Sequence, residues 1–227
     1  MSKIKEKLKN LAIAILIGGK STRFGTDKGL FKIFNKPLIS YEIDTLSDMG
    51  YNIFLVAHSM DQVQKYIEQI DFTKITAFII DNQSASNTHL HAPIIGLFST
   101  FKELKKLGYK KVLVLSCDTP LLKKELLNYL IEQSKGYDCC IPQWKNGFLE
   151  PLLAIYPIEK ALKTTSKNIK IKSYKLTNLL SNQWKINFIS VEKSLQPIDK
   201  NLDSFTNINE TKDIEKISEI LKNSNFK

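Results

Sequence analysis

The sequence is poor in the residues from which most catalytic and structural signatures are made. It holds three cysteines, three histidines and two tryptophans in 227 residues, and no apolar run approaches the roughly 18 residues that a membrane span needs. Cys117 sits in an apolar run while Cys139 and Cys140 are adjacent. That leaves neither a disulfide framework nor zinc-ligand spacing, and reads as reduced core thiols. His89 and His91 form an H-x-H pair in NTHLHAPIIG with no third ligand at metal-site spacing, so they read as loop histidines. Neither G-x-x-x-x-G-K-[ST] nor G-x-G-x-x-G is present, and no Ser-His-Asp or Cys-His arrangement suggests nucleophilic catalysis. Internal repeats, low-complexity tracts and Pro/Gly linkers are missing too. Residues 1–227 are therefore expected to form a single domain, with residues 1–10 a basic N-terminal extension. That extension, MSKIKEKLKN, lacks the apolar core and cleavage site of a secretory signal, which makes a cytoplasmic location the expectation.

The formal net charge is +10, from 33 Lys+Arg against 23 Asp+Glu. The basic residues are scattered lysines rather than a patch with aromatic platforms, which argues against nucleic acid as a partner. A diffuse positive field would still steer a small polyanion toward its site.

Apolar, β-rich runs recur at residues 11–17, 53–57, 75–80 and 111–116, and more weakly at 137–142 and 152–156. Between them PLISYEIDTLSDMG, MDQVQKYIEQI, IIGLFSTFKELKKLG and KKELLNYLIEQSK carry apolar residues at three and four spacing, and Gly50 and Gly108 end two of these helices. Strands alternating with helices predict a mostly parallel sheet flanked by helices. Residues 158–201 look less regular, with two short helical patterns and one strand pattern, WKINFISV, before a final amphipathic helix over 210–221.

In an open sheet of this kind ligands bind at the carboxyl ends of the strands, and the informative residues follow the strands. After the first comes GGKSTRFGTDKG, where Gly18, Gly19, Ser21, Arg23, Gly25, Asp27 and Lys28 lie between a buried run and Pro37, which opens a helix. Glycine N–H groups with fixed cations are a way of holding phosphate. Lys28 is expected to be a loop lysine that buries little. VLVLSCDTPLL ends a strand in Asp118, either a cap for the next helix or a hard oxygen ligand for Mg²⁺ beside a triphosphate. Glu150 in NGFLEPLLAIYP reads as part of a turn. In SFTNINETKDIEKI, Asn207 precedes a helix that Asn209 or Thr211 is available to cap. His58, just after the second strand, is placed to touch a ligand.

Taken together, these residues resemble the molybdenum cofactor guanylyltransferases of the nucleotidyltransferase family. The family pattern L-x-G-G-x-S-x-R-x-G-x-D-K-x-L is matched at each fixed position by LIGGKSTRFGTDKGL, and C-D-x-P, G-x-x-x-P-L-x-A-x-Y and N-[IV]-N follow in order as CDTP, GFLEPLLAIY and NIN. The resemblance implies an α/β fold: a single Rossmann-like three-layer domain of the nucleotide-diphospho-sugar transferase type. It implies transfer of GMP from Mg²⁺-GTP to the terminal phosphate of molybdopterin, with Mg²⁺ as cofactor and loss of pyrophosphate. It further implies catalytic roles for Arg23, Lys28 and Asp118. Nucleotide contacts would come from Leu16, Ile17, Gly18, Gly19, Lys28, His58, Asp81 and Asp118, and metal binding from Asp118. Asn207 and Asn209 would meet the pterin or a second metal contact. Beyond GTP and molybdopterin, transient contact with molybdoenzymes or their chaperones is implied, but no membrane. Three departures stand out: Ala92-Pro93-Ile94 where the family often has Gly-Pro-Leu, a long stretch from Asp81 to Ala92, and His58 where many members place an asparagine. A cytidylyltransferase for the pterin, a cobinamide-phosphate or sugar-phosphate nucleotidyltransferase, and a non-catalytic cofactor-delivery protein remain open alternatives.

Overall fold

The computed structural model describes residues 10–17, 27–81, 92–208 and 211–224. Its centre is β1 (Leu11–Leu16), a six-residue strand with every side chain buried. A strand with no solvent face needs neighbours on both edges and helices on both faces. β1 pairs in parallel with β4 (Asn52–Ala57) on one side and β6 (Lys111–Ser116) on the other. β5 (Ala77–Ile80) continues the sheet beyond β4. Beyond β6 come β8 (Leu153–Pro157), antiparallel to both its neighbours, then β7 (Cys139–Gln143) and β9 (Ile186–Ser190). The order across the seven strands is β5-β4-β1-β6-β8-β7-β9, mostly parallel as expected.

Alternate side chains of each strand face opposite layers. Ile13, Ile15, Leu55, Leu113 and Leu115 pack against α1 (Leu38–Ser47), α2 (Met60–Ile67) and α4 (Lys124–Gln133). Ala12, Ala14, Leu16, Val112 and Val114 pack against α3 (Pro93–Lys106) and α5 (Ile158–Lys170). Alanines at two of the β1 positions let α3 lie close to the sheet. All three cysteines are free and buried, and burial pushes the Cys140 thiol up to about 12. They are unreactive core residues. No helix among the described residues is long and apolar enough to cross a membrane.

Two features depart from the sequence reading. Between Phe31 and α1 a small hairpin forms from β2 (Lys32–Ile33) and β3 (Lys36–Pro37). Phe34 and Asn35 turn it at φ of 50° and 60°, the left-handed pair of a two-residue hairpin. Strands of two residues carry no readable period. The second is α5, thirteen residues long where only short helical patterns were expected. Its buried stripe is Ile158, Ala161, Thr165 and Asn168, correctly spaced but half polar. Thr165 returns its hydroxyl to the Ala161 carbonyl, and Asn168 donates to the carbonyl of Asn178 at 2.9 Å. With half of the stripe polar and satisfied by backbone carbonyls, the helix keeps its period but has few apolar residues to mark its length. A short 3₁₀ turn (Leu176–Leu179) and a π turn (Val191–Leu195) complete this region. α6 (Thr211–Ser224) closes the described chain, Ile217 packing with Ile208, Leu121 and Ile33.

Gly108 ends α3 at φ +86°, and a Cβ built on it would meet nothing within 4 Å. Substitution there tests backbone conformation alone. Gly108→Ala should lose about 1–2 kcal/mol, the left-handed penalty of an L-residue. Gly108→Asn should lose less, because its short amide tolerates that region. Urea unfolding would read the order Gly, Asn, Ala, and an alanine variant as stable as the parent would remove the argument.

Candidate active site

The chain runs from β1 outward to β4 on one side and later to β6 on the other, so the crevice at the carboxyl ends of β1 and β6 is the topological switch point. The ladder is closed right up to this rim. Ile17 donates its N–H to the Val56 carbonyl at 3.1 Å, and Cys117 donates to the Leu16 carbonyl at 3.3 Å. The first residue free of the β6 ladder is Asp118.

Asp118 is held from several directions. Its Oδ1 accepts from the Ser116 hydroxyl at 2.6 Å and its Oδ2 from Lys28 Nζ at 2.8 Å. The Lys28 and Asp118 side chains are 18% and 19% exposed, so the pair is partly shielded yet open to the crevice. The Asp118 carbonyl accepts from Ile208 N–H at 3.1 Å, which brings Ile208 and exposed Asn207 to the same rim. Asp118 is not the cap of the following helix: the N-cap position of α4 is Lys123, five residues on, and has no side-chain cap bond. Lys28 corrects the expectation of a loosely held loop lysine, because it opens a 3₁₀ turn (Lys28–Leu30) and is ion-paired.

Asp27, next to Lys28, ties this turn to the fold. Its Oδ1 accepts from Gly29 N–H at 3.2 Å and from the hydroxyl of buried Tyr66 at 2.6 Å, and its Oδ2 accepts from the Gln62 amide. Gln62 also donates to the Ile17 carbonyl at 2.9 Å and accepts from His58 N–H at 2.9 Å. One buried amide on α2 thus holds both flanks of residues 18–26 and the end of β4. The turn must run close to Tyr66, since a Cβ on Gly29 would come within 2.3 Å of its hydroxyl oxygen.

His58 and Asp81 follow β4 and β5 on the neighbouring part of the rim. Asp81 donates its N–H to the Ala57 carbonyl at 2.7 Å and accepts from the Ser99 hydroxyl at 3.4 Å. Burial pushes its carboxyl up to about 6, with Ser99 and the nearby His58 pulling the other way. A carboxyl poised there changes charge within the working range of most enzymes.

Of the residues singled out from the sequence, the fold gathers Leu16, Ile17, Lys28, Asp118 and Asn207 around the head of β1 and β6, and sets His58 and Asp81 beside them. Gly18, Gly19, Ser21, Arg23, Gly25, His89, His91 and Asn209 lie outside the described residues. Arg23 is the only arginine in the chain. Glu150 stands in the turn between β7 and β8, where its Oε1 accepts from Trp144 Nε1 at 2.6 Å. Sequence reasoning missed the supporting side chains Ser116, Gln62 and Tyr66. Gln62 and Tyr66 stand four apart on a helix read only for its apolar face, and a glutamine inside that face was the available signal. Among the described residues no group of three or more His, Cys, Asp or Glu could cage a metal ion. A single carboxylate on the rim suits a hard cation that keeps most of its waters and shares a ligand's oxygens.

Residues 13–181 match the MobA-like NTP transferase domain. A probable molybdenum cofactor guanylyltransferase of Pyrococcus horikoshii is 32% identical over 206 residues, spanning 90% of this chain and 97% of the relative. The crystal structure of molybdopterin-guanine dinucleotide biosynthesis protein A from Archaeoglobus fulgidus is similar at a TM-score of 0.74 and 26% identity, over 93% of this chain and 99% of that one. A 4-diphosphocytidyl-2C-methyl-D-erythritol synthase of Anaerococcus prevotii shares the fold, at a TM-score of 0.66 and 14% identity over 98% of this chain and 100% of its own. With the matched span, the relatives' identity over nearly their whole length and the shared fold in agreement, the chain belongs to the MobA-like NTP transferase family and is a nucleotidyltransferase.

Proposed function

We propose that the protein transfers GMP from GTP, taken as its Mg²⁺ complex, to the terminal phosphate of molybdopterin. The observation that carries this reading is the Lys28–Asp118 pair, a cation and a hard oxygen donor side by side at the switch point between β1 and β6. The guanylyl donor and the pterin acceptor are supported by the names of relatives that match over nearly their whole length.

In the reaction an oxygen of the acceptor phosphate forms a bond to the α-phosphorus of GTP. The bond from that phosphorus to the β-phosphate oxygen breaks, and pyrophosphate leaves with the electron pair. The nucleophile is already ionised at neutral pH, so the chain needs no general base; its work is positioning and charge neutralisation. Asp118 would hold the Mg²⁺, which when bound neutralises triphosphate charge. Lys28 would turn its ammonium to the phosphates, with Asp27 fixing the turn that carries it. Gly18, Gly19 and Arg23 would hold the triphosphate, and Leu16 and Ile17 would border the nucleotide. His58 and Asp81 would meet the guanine or ribose. Asn207 and Asn209 would lie near the metal or the pterin phosphate.

Pyrophosphate release measured with molybdopterin and each of the four NTPs should favour GTP over ATP and CTP by at least about tenfold in kcat/KM, near 1.4 kcal/mol of differential transition-state binding. Equal use of CTP would reassign the donor.

Lys28→Ala should lower turnover about a hundredfold, near 2.7 kcal/mol. Asp118→Asn, similar in size, should lose both pyrophosphate release and the Mg²⁺-dependent rise in Tm that GTP gives. Variants within threefold of the parent would take these residues out of the mechanism.

Asp81 supplies a pH signature. Its folded pKa of about 6 lies above the ordinary 3.8, so its contribution to stability is complete below about pH 4 and is lost as pH rises through 6. Asp81→Asn should therefore gain Tm relative to the parent between pH 4 and 7. If the ionised carboxylate accepts hydrogen bonds from the nucleotide, the parent's KM for GTP should fall as pH rises through about 6, and the asparagine variant should lack that limb. A parent KM flat from pH 5 to 7 would rule out the contact.

A further inference from the structure

One buried acid has no place in this mechanism. Glu42 lies on the inner face of α1 among Leu38, Ile39, Ile43 and Leu46, and it is 0% exposed. A carboxyl group in such surroundings is costly unless its oxygens are used. Oε1 is used: it accepts from Thr119 N–H at 2.9 Å and lies 3.2 Å from the Thr119 hydroxyl. Oε2 is buried with no hydrogen-bond partner among the described residues. Burial pushes the carboxyl well above the usual carboxylate range, with the Thr119 hydrogen bonds pulling it down and the Asp118 charge adding to the rise.

The bond to Thr119 N–H matters because of the peptide it belongs to. That N–H and the Asp118 carbonyl are the two poles of one planar unit. Glu42 holds the first pole from α1 at 2.9 Å, and Ile208 N–H holds the second from the NIN segment at 3.1 Å. A peptide plane clamped at both ends cannot rotate. The backbone just after the Asp118 Cα is then fixed, and with it the direction in which the side chain leaves the rim. Ser116 and Lys28 act on the carboxylate itself.

We propose that Glu42 is a positioning residue for Asp118, acting through the 118–119 peptide from beneath the turn to aim the carboxylate at the metal-nucleotide complex. The proposal rests on the reading of Asp118 as the Mg²⁺ ligand given above.

Three variants test it, each measured for Mn²⁺-GTP affinity by water-proton relaxation, for the Mg²⁺ concentration that half-activates pyrophosphate release, and for Tm without ligand. Glu42→Gln keeps an oxygen acceptor in place and should stay within threefold of the parent in both metal readouts. Glu42→Met fills the space without an acceptor and should weaken both by tenfold or more, with Tm close to that of the glutamine variant. Glu42→Asp keeps the acid but withdraws it by one methylene, and it should follow the methionine variant, which decides the matter if methionine does not fold. A merely structural role would move Tm and leave the metal readouts alone. Parent-like metal affinity in Glu42→Met or Glu42→Asp overturns the proposal, as does a tenfold loss in Glu42→Gln. Asp118→Asn separates this from the underlying reading: if that variant keeps normal metal dependence, the assignment of the ligand has failed. If it loses metal dependence while the Glu42 variants do not, only the positioning role has failed.

Discussion

β1 is buried along its whole length, and the remaining architecture follows from hiding it. Six buried positions in a row require a strand on each edge and a helical layer on each face. With both edges and both faces occupied, the only place where polar chemistry can meet solvent is the end of the strand. Parallel neighbours bring their own carboxyl ends to the same height, so Ile17, His58, Asp81 and Asp118 arrive at one rim although they are far apart in sequence. The antiparallel β8 does not contribute a carboxyl end there. It serves instead to carry the sheet outward to β7 and β9, whose ends return to the rim on the far side.

The parts of this arrangement that were legible in the sequence are those with a strong local cause. The four main parallel strands are apolar runs long enough to read, and Gly50 and Gly108 mark helix ends because left-handed backbone selects glycine. Lys28 and Asp118 were legible as candidates because charge at the end of a buried strand is conspicuous. Their pairing was not, since contact between residues 90 apart leaves no trace in spacing. The supporting side chains were hidden for the opposite reason. Glu42, Gln62 and Thr165 stand in stripes that otherwise look apolar, and periodicity reads a polar residue there as noise. For Glu42 and Gln62 the value becomes visible only when the partner arrives from another element, Thr119 for Glu42 and Asp27 and Ile17 for Gln62, whereas Thr165 is satisfied within its own helix by the Ala161 carbonyl.

The rim thus has two kinds of residue. Those that face the crevice are placed by strand ends, and those that hold them come from helix faces one layer back. A carboxylate proposed as a metal ligand must not drift, because a hard cation with few protein ligands gains little from a mobile one. The bonds around Asp118 come from its own strand, from the turn after β1, and from the segment before α6. Three separate stretches of chain must be folded before that carboxylate is fixed, so formation of the site is coupled to completion of the fold.

The Gln62 side chain holds the carbonyl of Ile17 and the carboxylate of Asp27 with the same amide. The two flanks of the glycine-rich segment are therefore fastened at a single point on α2, independently of what lies between them. Adding residues between chain ends that are already joined is inexpensive, about 0.6 kcal/mol for each doubling of the segment's length. Insertions and substitutions between the flanks can then be sampled with little risk to the sheet beneath. A scaffold fastened in this way keeps its core sequence untouched while residues between the two anchors are exchanged, over evolutionary time or in the laboratory.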